Sequence, residues 1–462
     1  MPKRDPNLAE RTPVTADEVK RWLSACSPDQ PIESKDPRYV PLHAFKTEGG
    51  VVSLRGEDPI LPVFDTITLS GTKSCQLFSG YIGTGKSTEL KRLSQLLREK
   101  GYIVLYSDAQ RYHDLAHPIA IEELLVILAG AFGEAAGEHL KKEDLIAKSY
   151  WPRFLEFLKK TEINLESVTV KLGVADLKLN LMHGRPFWLK VRDALGSKID
   201  SLRHDAHEFV GEVVATLKRR FPKAPGVVFL FDSLERLRGP ENEFKITMDS
   251  VVRILIQYAD FLQLPDCHVV LTVPPYAALI RPDLSDKYDN LFRVLPAIKV
   301  LERGPDETPF PDGILAMATI VEKRIPADQV FGAARREVLQ KLIISSGGHV
   351  RTLLLFLREL LLGTLRGGLP VTERQVDRVI ELYAERARNS IRPEGVHLLD
   401  SVRRRTTLDE IQNTELGLLA RYIDSHLVLC YQNGEGWFEV HPLVRDHVRR
   451  RAAEMAEARP SP

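Results

Sequence analysis

One glycine-rich segment of the chain has the spacing G-x-x-x-x-G-K-[ST], and its residues are those that bind phosphate groups. It consists of Gly80, Tyr81, Ile82, Gly83, Thr84, Gly85, Lys86, Ser87 and Thr88. The glycines let the backbone turn tightly, so that successive N–H groups face inward towards an anion. Lys86 would reach the β- and γ-phosphates of a nucleoside triphosphate, and the Ser87 hydroxyl would bind Mg²⁺. The spacing predicts a P-loop for ATP and Mg²⁺, against the alternative of a chance glycine turn.

A carboxylate follows a second apolar segment of the chain. Val227 to Phe231 are all apolar, and Asp232 comes directly after them. A carboxylate at the tip of a buried strand can hold Mg²⁺, usually through water, although such residues also cap helices. Glu235 lies three residues further along and could polarise the attacking water. The alternative for Glu235 is a solvated carboxylate in the first turn of a helix, where the helix dipole favours it.

Alternating apolar strands and amphipathic helices would hold these residues in place. The pattern predicts strands at Ser74–Ser79, Tyr102–Tyr106, Val227–Phe231 and His268–Val273, and helices at Ser87–Lys100 and Ile121–Phe132. Strands that alternate with helices form a parallel α/β sheet. The strand Tyr102–Tyr106 intervenes in sequence between the P-loop strand and the Asp232 strand. We therefore expect the two catalytic strands to be separated in the sheet.

The rest of the chain divides by pattern into further segments. Residues 1–60 form a Pro-rich lead-in with a short helix near Ala16–Ala25, and residues 61–305 form the core around the P-loop. Within that core, an insertion at about 141–220 shows a hairpin pattern at Val168–Leu181, followed by long helices. Residues 306–390 are expected to be helical. Residues 391–455 read as helices followed by a hairpin, with strands at His426–Tyr431 and Trp437–Val440 around a turn at Gln432–Gly436.

Composition excludes several classes of protein. The 462 residues include 64 Lys and Arg against 63 Asp and Glu, so a nucleic-acid-binding surface would have to be local. The four cysteines are far apart and have no C-x-x-C spacing, which argues against a zinc site or a disulfide framework. No segment approaches the roughly 20 apolar residues that cross a bilayer, and the first residues lack the apolar core of a secretory signal. These features predict a cytoplasmic protein with no membrane partner.

Taken together, these motifs resemble the AAA+ and STAND branch of P-loop ATPases, over roughly residues 56–448. Asp232, Ser233, Leu234 and Glu235 look more like the D-G-L-[DE] form of STAND ATPases than the adjacent Asp-Glu of other AAA+ proteins. The resemblance implies an α/β fold with a three-layer P-loop NTPase sheet, followed by a helical lid and a small winged-helix domain. It also implies a Mg²⁺-dependent ATPase.

The resemblance implies three more site residues, each with a plainer alternative. Thr272 would be a polar sensor of the γ-phosphate or the water, or else a β-branched residue in its favoured place on a strand. Arg293, which precedes an apolar strand predicted at Val294–Val300, would be an arginine finger acting on a neighbouring subunit, or a surface arginine at a helix end. Arg351, in the segment Gly347–Arg351, would be the lid arginine that reaches the γ-phosphate, or an arginine at a helix start in solvent.

Three functions remain open on the sequence. The first is an ATP-driven switch that oligomerises with itself or controls a separate effector or regulatory protein, as in ATPases of bacterial antiphage defence. The second is a DNA-handling ATPase of replication initiation or transposition, motivated by basic clusters at Arg403–Arg405 and at Arg445, Arg449, Arg450 and Arg451. Acidic residues are interspersed there, so a solvated charged face is the alternative. The third is a module that binds ATP without hydrolysing it.

Overall fold

The computed structural model describes residues 12–112, 118–140, 198–237, 243–277, 281–289, 292–304, 307–408, 411–412, 414–433 and 435–457. The chain forms two compact units. The sheet unit comprises Ile60–Gly80 and Glu89–Val294, and the helical unit comprises Met1–Pro59, Tyr81–Thr88 and Leu295–Pro462. The hairpin expected at Val168–Leu181 lies outside the described residues.

A five-stranded sheet forms the centre of the sheet unit. Its strands are β3 (Ser74–Gly80), β4 (Ile103–Asp108), β5 (Val227–Asp232), β6 (Cys267–Val273) and β7 (Phe292–Leu295), in the order β4-β5-β6-β3-β7. The pairs β4/β5, β5/β6 and β3/β6 are parallel. The predicted α/β fold of the P-loop NTPase type is confirmed. So is the expected separation of the P-loop strand from the Asp232 strand, because β6 lies between them.

Apolar strands and helices bury one core in the sheet unit. Every residue of β5 is buried, as expected for a parallel strand covered on both faces. Phe132 meets Phe229 edge to face, with ring centroids 5.2 Å apart. The α-helices that the structure describes in this unit are α2 (Leu61–Leu69), α3 (Lys86–Glu99, which starts in the P-loop), α4 (Ile121–Leu140), α5 (Ile199–Arg220), α6 (Phe244–Gln257) and α7 (Ala259–Leu262).

The helical unit combines the start of the chain with its last third. It contains α1 (Ala16–Ala25), a small antiparallel pair β1 (Phe45–Thr47) and β2 (Gly50–Val52), and the helices α8 (Pro311–Glu322), α9 (Ala327–Phe331), α10 (Arg335–Ser345), α11 (Val350–Gly367) and α12 (Glu373–Arg388). One apolar core joins Val19 and Trp22 of α1 to leucines of α11 such as Leu354 and Leu361. The predicted helix near Ala16 and the helical segment up to Arg388 are confirmed.

Three helices and a hairpin complete the helical unit. They are α13 (Val396–Arg405), α14 (Leu416–Asp424), the antiparallel strands β8 (Val428–Asn433) and β9 (Glu435–Val440), and α15 (Pro442–Glu457). The hairpin was predicted, but the predicted turn at Gln432–Gly436 is longer than the turn in the structure. Gln432 pairs with Gly436 and Asn433 with Glu435, so most of that segment belongs to the strands. Tyr431 and Trp437 stack across the ladder, with ring centroids 4.5 Å apart.

The expected strand at Val294–Val300 was wrong in extent and in its starting point. Strand β7 ends at Leu295, and Arg293 lies inside it rather than before it. Pro296 follows and has no N–H to continue a ladder. The next two N–H groups do not continue the strand but bond to other segments of the helical unit. Ala297 N donates to Cys430 O at 2.9 Å, and Ile298 N donates to Gly348 O at 3.2 Å.

Gly348 allows the backbones of two segments to meet, and alanine at this position is expected to destabilise the helical unit. Its φ is +70°, and a Cβ there would lie 1.7 Å from the carbonyl oxygen of Ile298. We expect Gly348→Ala to lower the free energy of unfolding by about 3 kcal/mol or more, measured by chemical denaturation. The control is Gly417→Ala in α14, where a Cβ meets nothing within 4 Å. That change should be neutral or stabilising by about 0.5–1 kcal/mol, and an equal loss in both variants would contradict the prediction.

Candidate functional site

Glycine geometry and a buried lysine distinguish the P-loop. The φ angles of Gly80, Gly83 and Gly85 are +151°, +93° and +103°, in the region that only glycine enters readily. Lys86 is 3% exposed, and its ammonium donates to the carbonyl oxygen of Tyr81 at 2.9 Å. The segment therefore has the turn that the motif predicts, and it keeps its lysine within the loop.

Four successive carbonyl oxygens of the P-loop accept hydrogen bonds from within the helical unit. Tyr81 O accepts from Lys86 Nζ and from Thr84 Oγ1, Ile82 O from His349 Nε2, Gly83 O from Arg351 N, and Thr84 O from Arg55 Nη2. In a trans peptide the N–H points opposite to the C=O of the same unit. The contacts therefore fix the directions of the N–H groups of residues 82–85. A P-loop binds phosphate through backbone N–H groups of this kind, although the Thr84 N–H here donates to Tyr81 O at 3.3 Å.

Arg351 lies on the P-loop at the start of α11. Its N–H donates to Gly83 O at 3.2 Å, and a Cβ on Gly83 would lie 2.3 Å from the Cβ of Arg351. Only glycine at position 83 permits this approach. The Arg351 guanidinium forms an ion pair with Asp29, with Nη1 and Oδ1 2.7 Å apart. The structure thus brings the predicted lid arginine to the P-loop backbone and gives its side chain a carboxylate partner near the start of the chain.

Asp232 in the sheet unit is a fully buried carboxylate at the end of β5. Tyr106 Oη donates to its Oδ2 at 2.6 Å, and the N–H of Ser233 donates to its Oδ1 at 2.7 Å. Tyr106 belongs to the neighbouring strand β4, and the parallel register places Asp108 opposite Asp232. Two donors from two segments therefore fix the orientation of the carboxylate, and hydrogen bonds to a charged acceptor are the stronger kind.

The turn after Asp232 positions Glu235. Ser233 has φ +73°, which is the conformation that the glycine of a D-G-L-[DE] sequence would take without strain. Leu234 N donates to Thr272 Oγ1 at 3.2 Å, so Thr272 at the end of β6 supports this turn. Glu235 is 4% exposed, which argues against a solvated carboxylate. The geometry gives Thr272 a definite contact and leaves its role as a sensor a prediction.

The donor chemistry of the predicted metal ligands fits Mg²⁺. Mg²⁺ prefers oxygen ligands and is bound in such proteins through one or two carboxylates, together with substrate phosphates and water. Ser87 offers a half-buried hydroxyl in the first turn of α3, and Asp232 offers a carboxylate held in place by two donors. Both are hard oxygen donors, and neither position requires a soft ligand. In the part of the chain that the structure describes, no group of three or more His, Cys, Asp and Glu side chains could hold a metal ion.

The remaining predicted residues occupy less distinctive surroundings. Arg293 is half-buried on β7, at the edge of the sheet next to β3. The C-terminal arginines are mostly paired with carboxylates: Arg403 and Arg404 with Asp400, Arg449 with Asp446, Arg451 with Glu454, and Arg445 with Glu307 and Glu439. These ion pairs reduce the net positive charge of that face. No described helix is long and apolar enough to span a membrane.

Sequence reasoning missed three residues that contact the predicted site residues in the structure. Tyr106 was read only as part of an apolar strand, His349 only as part of a glycine motif, and Arg55 was not singled out. The position of Tyr106 two residues before the end of β4 becomes informative once the sheet order places β4 beside β5. The contacts of Arg55 and His349 with the P-loop join residues far apart in sequence, and no local pattern signals them.

Comparisons with known proteins give only distant likenesses. No protein-family model matches the chain, and no curated protein sequence matches it. One similar solved structure is a Walker-type ATPase of Pyrococcus abyssi, with 15% sequence identity, a TM-score of 0.39 and coverage of 85% of this chain and 94% of that chain. Another is Cdc6p of Pyrobaculum aerophilum, with 12% identity, a TM-score of 0.41 and coverage of 94% of this chain and 98% of that chain. A third is the ORC2 protein of Aeropyrum pernix in ADPNP–ADP complexes, with 13% identity, a TM-score of 0.37 and coverage of 86% of this chain and 91% of that chain. All three TM-scores are below 0.5, so these likenesses carry no conclusion about activity or partners.

Proposed function

We propose that this protein is a Mg²⁺-dependent ATPase that works as a molecular switch. The observation that carries the proposal is the contact between the P-loop and the start of α11, where Ile82 O and Gly83 O bond to His349 and to Arg351 N. A loop that binds phosphate is thereby joined to a helical segment that could respond to it. Such a connection favours a protein that changes conformation with its bound nucleotide over one that only binds the nucleotide.

The proposed chemistry assigns a role to each residue. The P-loop amides and Lys86 would bind the phosphates, Ser87 and Asp232 would hold Mg²⁺, and the carboxylate of Glu235 would take a proton from the attacking water. The metal would neutralise charge on the phosphates. Thr272 supports the turn that carries Glu235, and Arg351 would contact the γ-phosphate. Tyr106 keeps the Asp232 carboxylate in one orientation.

The family resemblance supplies the more detailed parts of the proposal. The switch would act by self-association, with Arg293 as a finger on the neighbouring subunit, and it would control a separate effector or regulatory protein. Residues 306–390 would be the lid and residues 391–455 a winged-helix domain. STAND-type regulation and a place in antiphage defence remain predictions on the same basis.

Replacing Arg351 by alanine tests the switch. We expect Arg351→Ala to lower the hydrolysis rate at saturating ATP by about 10- to 100-fold, since a cation that faces the transferred phosphoryl group stabilises the transition state more than the ground state. ADP affinity should change less than about threefold, which corresponds to less than about 0.7 kcal/mol. Steady-state hydrolysis and equilibrium ADP binding measure the two effects.

Arg366→Ala is the matched control, because Arg366 lies in the last turn of the same helix and is exposed. This variant should hydrolyse ATP like the wild type. Mass photometry in ADP and in a non-hydrolysable ATP analogue then reports self-association. Equal hydrolysis by Arg351→Ala and wild type would refute the assignment of Arg351, and one assembly size in both nucleotides would refute a switch that acts by self-association.

A second candidate is a DNA-binding ATPase of the replication or transposition kind. The observation that favours it is the run Arg449–Arg451, which is exposed on α15. Charge-dependent binding to duplex DNA falls steeply as salt rises, because bound counterions are released. Titration of duplex DNA at low and moderate salt tests it, with Arg449→Ala/Arg450→Ala/Arg451→Ala as the variant. Binding that is absent at low salt, or that the triple change leaves intact, would eliminate this interface.

A further inference from the structure

His349 makes a directed hydrogen bond to the P-loop. Its ring is 1% exposed, and Nε2 lies 2.8 Å from Ile82 O. A carbonyl oxygen can only accept, so Nε2 carries the hydrogen. The other ring nitrogen, Nδ1, lies 2.7 Å from the hydroxyl of Thr352; in the neutral ring Nδ1 carries no hydrogen, so the hydroxyl donates to it. The contacts specify one neutral tautomer with both nitrogens satisfied.

The surroundings of the ring keep it in that tautomer. Burial lowers the pKa of His349 to about 4, and the nearby charges of Arg351, Lys86 and Arg55 act in the same direction. The ring of His426 lies next to it, with centroids 4.5 Å apart and planes inclined by 31°. His349 is therefore a fixed donor near neutral pH, and it contacts both the P-loop and His426, two residues before β8.

This donor acts on the peptide unit that joins Ile82 to Gly83. With the Ile82 carbonyl held by His349, the Gly83 N–H points to the other side of the same plane. The next peptide is held in the same way, because Gly83 O accepts from Arg351 N. Two consecutive P-loop peptides are thus oriented by residues at the start of α11. The Thr84 N–H donates to Tyr81 O at 3.3 Å. An anion that binds the Gly83 N–H would find that group already oriented, which lowers the ordering cost of binding.

We propose that His349 is a positioning residue for nucleotide binding, which holds the Ile82–Gly83 peptide in its phosphate-binding orientation and couples phosphate occupancy to α11. The proposal rests on the proposed ATP binding. It adds a coupling between bound phosphate and α11 that runs through the P-loop backbone, in addition to the direct contact expected between Arg351 and the γ-phosphate. Because linkage is reciprocal, phosphate that stabilises this orientation also strengthens the bond to His349. The α- and β-phosphates, which ADP and ATP share, are enough to produce this coupling through the backbone.

The experiment compares His349→Leu, which removes the donor, with His349→Gln, which can still donate from its amide. The leucine variant is expected to bind ADP and ATP about tenfold more weakly without Mg²⁺, and the glutamine variant within about threefold of wild type. Hydrogen exchange should be faster at the amides of residues 82–84 in His349→Leu even without nucleotide. A role in stability alone would not restore nucleotide affinity in the glutamine variant.

The matched control is His207→Leu in the sheet unit. His207 Nε2 lies 3.0 Å from the carbonyl oxygen of Phe261, so this change removes the same kind of bond far along the chain from the P-loop. It should leave nucleotide affinity unchanged. If His349→Leu fails to fold, Thr352→Val replaces it; that change removes the donor to Nδ1 and is expected to weaken binding about two- to fivefold.

The outcomes separate this proposal from the proposed function. Wild-type protein that binds neither ADP nor ATP refutes the proposed ATP binding, whatever the variants do. Wild-type binding with unchanged affinity and unchanged amide exchange in His349→Leu, or in Thr352→Val where that is used, overturns the role of His349 alone. Equal weakening in the leucine and glutamine variants overturns it as well, because the retained donor would then have no effect.

Discussion

Lys86→Ala is expected to reduce ATP affinity by about 100-fold or more and to abolish measurable hydrolysis. Removing one preorganised hydrogen-bond donor from a catalytic site costs about 10²–10³-fold in rate. Lys86 is the residue that the motif places on the β- and γ-phosphates. Its ammonium is already inside the loop, at the carbonyl of Tyr81, so no distant side chain has to move in. Equilibrium binding of a fluorescent ATP analogue and phosphate release measure the two effects.

The control for this prediction is Lys100→Ala, which removes a lysine that is exposed just after α3. It should bind and hydrolyse ATP like the wild type. Affinity within about threefold of wild type in Lys86→Ala would show that Gly80–Thr88 is a glycine turn without a phosphate role, and the proposed function would then be lost.

Glu235→Gln is expected to slow hydrolysis by about 10²–10⁴-fold while ATP affinity stays within about threefold of wild type. The factor is the usual contribution of a positioned general base. Glutamine keeps the size of the side chain but cannot take a proton from water. Single-turnover hydrolysis with enzyme in excess measures the chemical step, and a binding titration shows whether the nucleotide still binds.

Asp108→Asn is the matched control. Asp108 is another carboxylate at the carboxyl end of the sheet, where it pairs in register with Asp232. Asparagine can still cap the turn in which Asp108 accepts from Gln110 N at 2.9 Å. Hydrolysis should change little. Equal measurable single-turnover rates in wild type and Glu235→Gln would rule out Glu235 as the base. Bound ATP that neither protein hydrolyses would favour a module that binds ATP without turnover.

Local patterns gave the fold of the sheet and the two phosphate motifs. The P-loop spacing and the strand before Asp232 are readable because each depends on residues adjacent in sequence. The same approach failed at Val294–Val300, where an apolar segment looks like a strand. Its buried side chains are explained equally well by packing in the helical unit, and the missing N–H of Pro296 decides between the two.

Contacts between distant residues could not be predicted in this way. The resemblance suggested that Arg351 belongs to the site, but nothing in the sequence indicated that its backbone would bond to Gly83 or its guanidinium to Asp29. Tyr106 is similar, because a tyrosine on a strand is ordinary until the neighbouring strand is known. The sequence order of the strands left that neighbour open.

The order of the two units along the chain has a consequence for biosynthesis. The first helix, α1, packs through Val19 and Trp22 into a core whose other members come mostly after residue 295. At translation rates of about 5–20 residues per second, α1 waits on the order of tens of seconds for that core. During this time the side chains of Val19 and Trp22 lack most of the residues that bury them in the folded protein. The helical unit is not a single stretch of the chain, so truncation cannot release it intact, and it can finish folding only after the residues of the sheet unit have been synthesised.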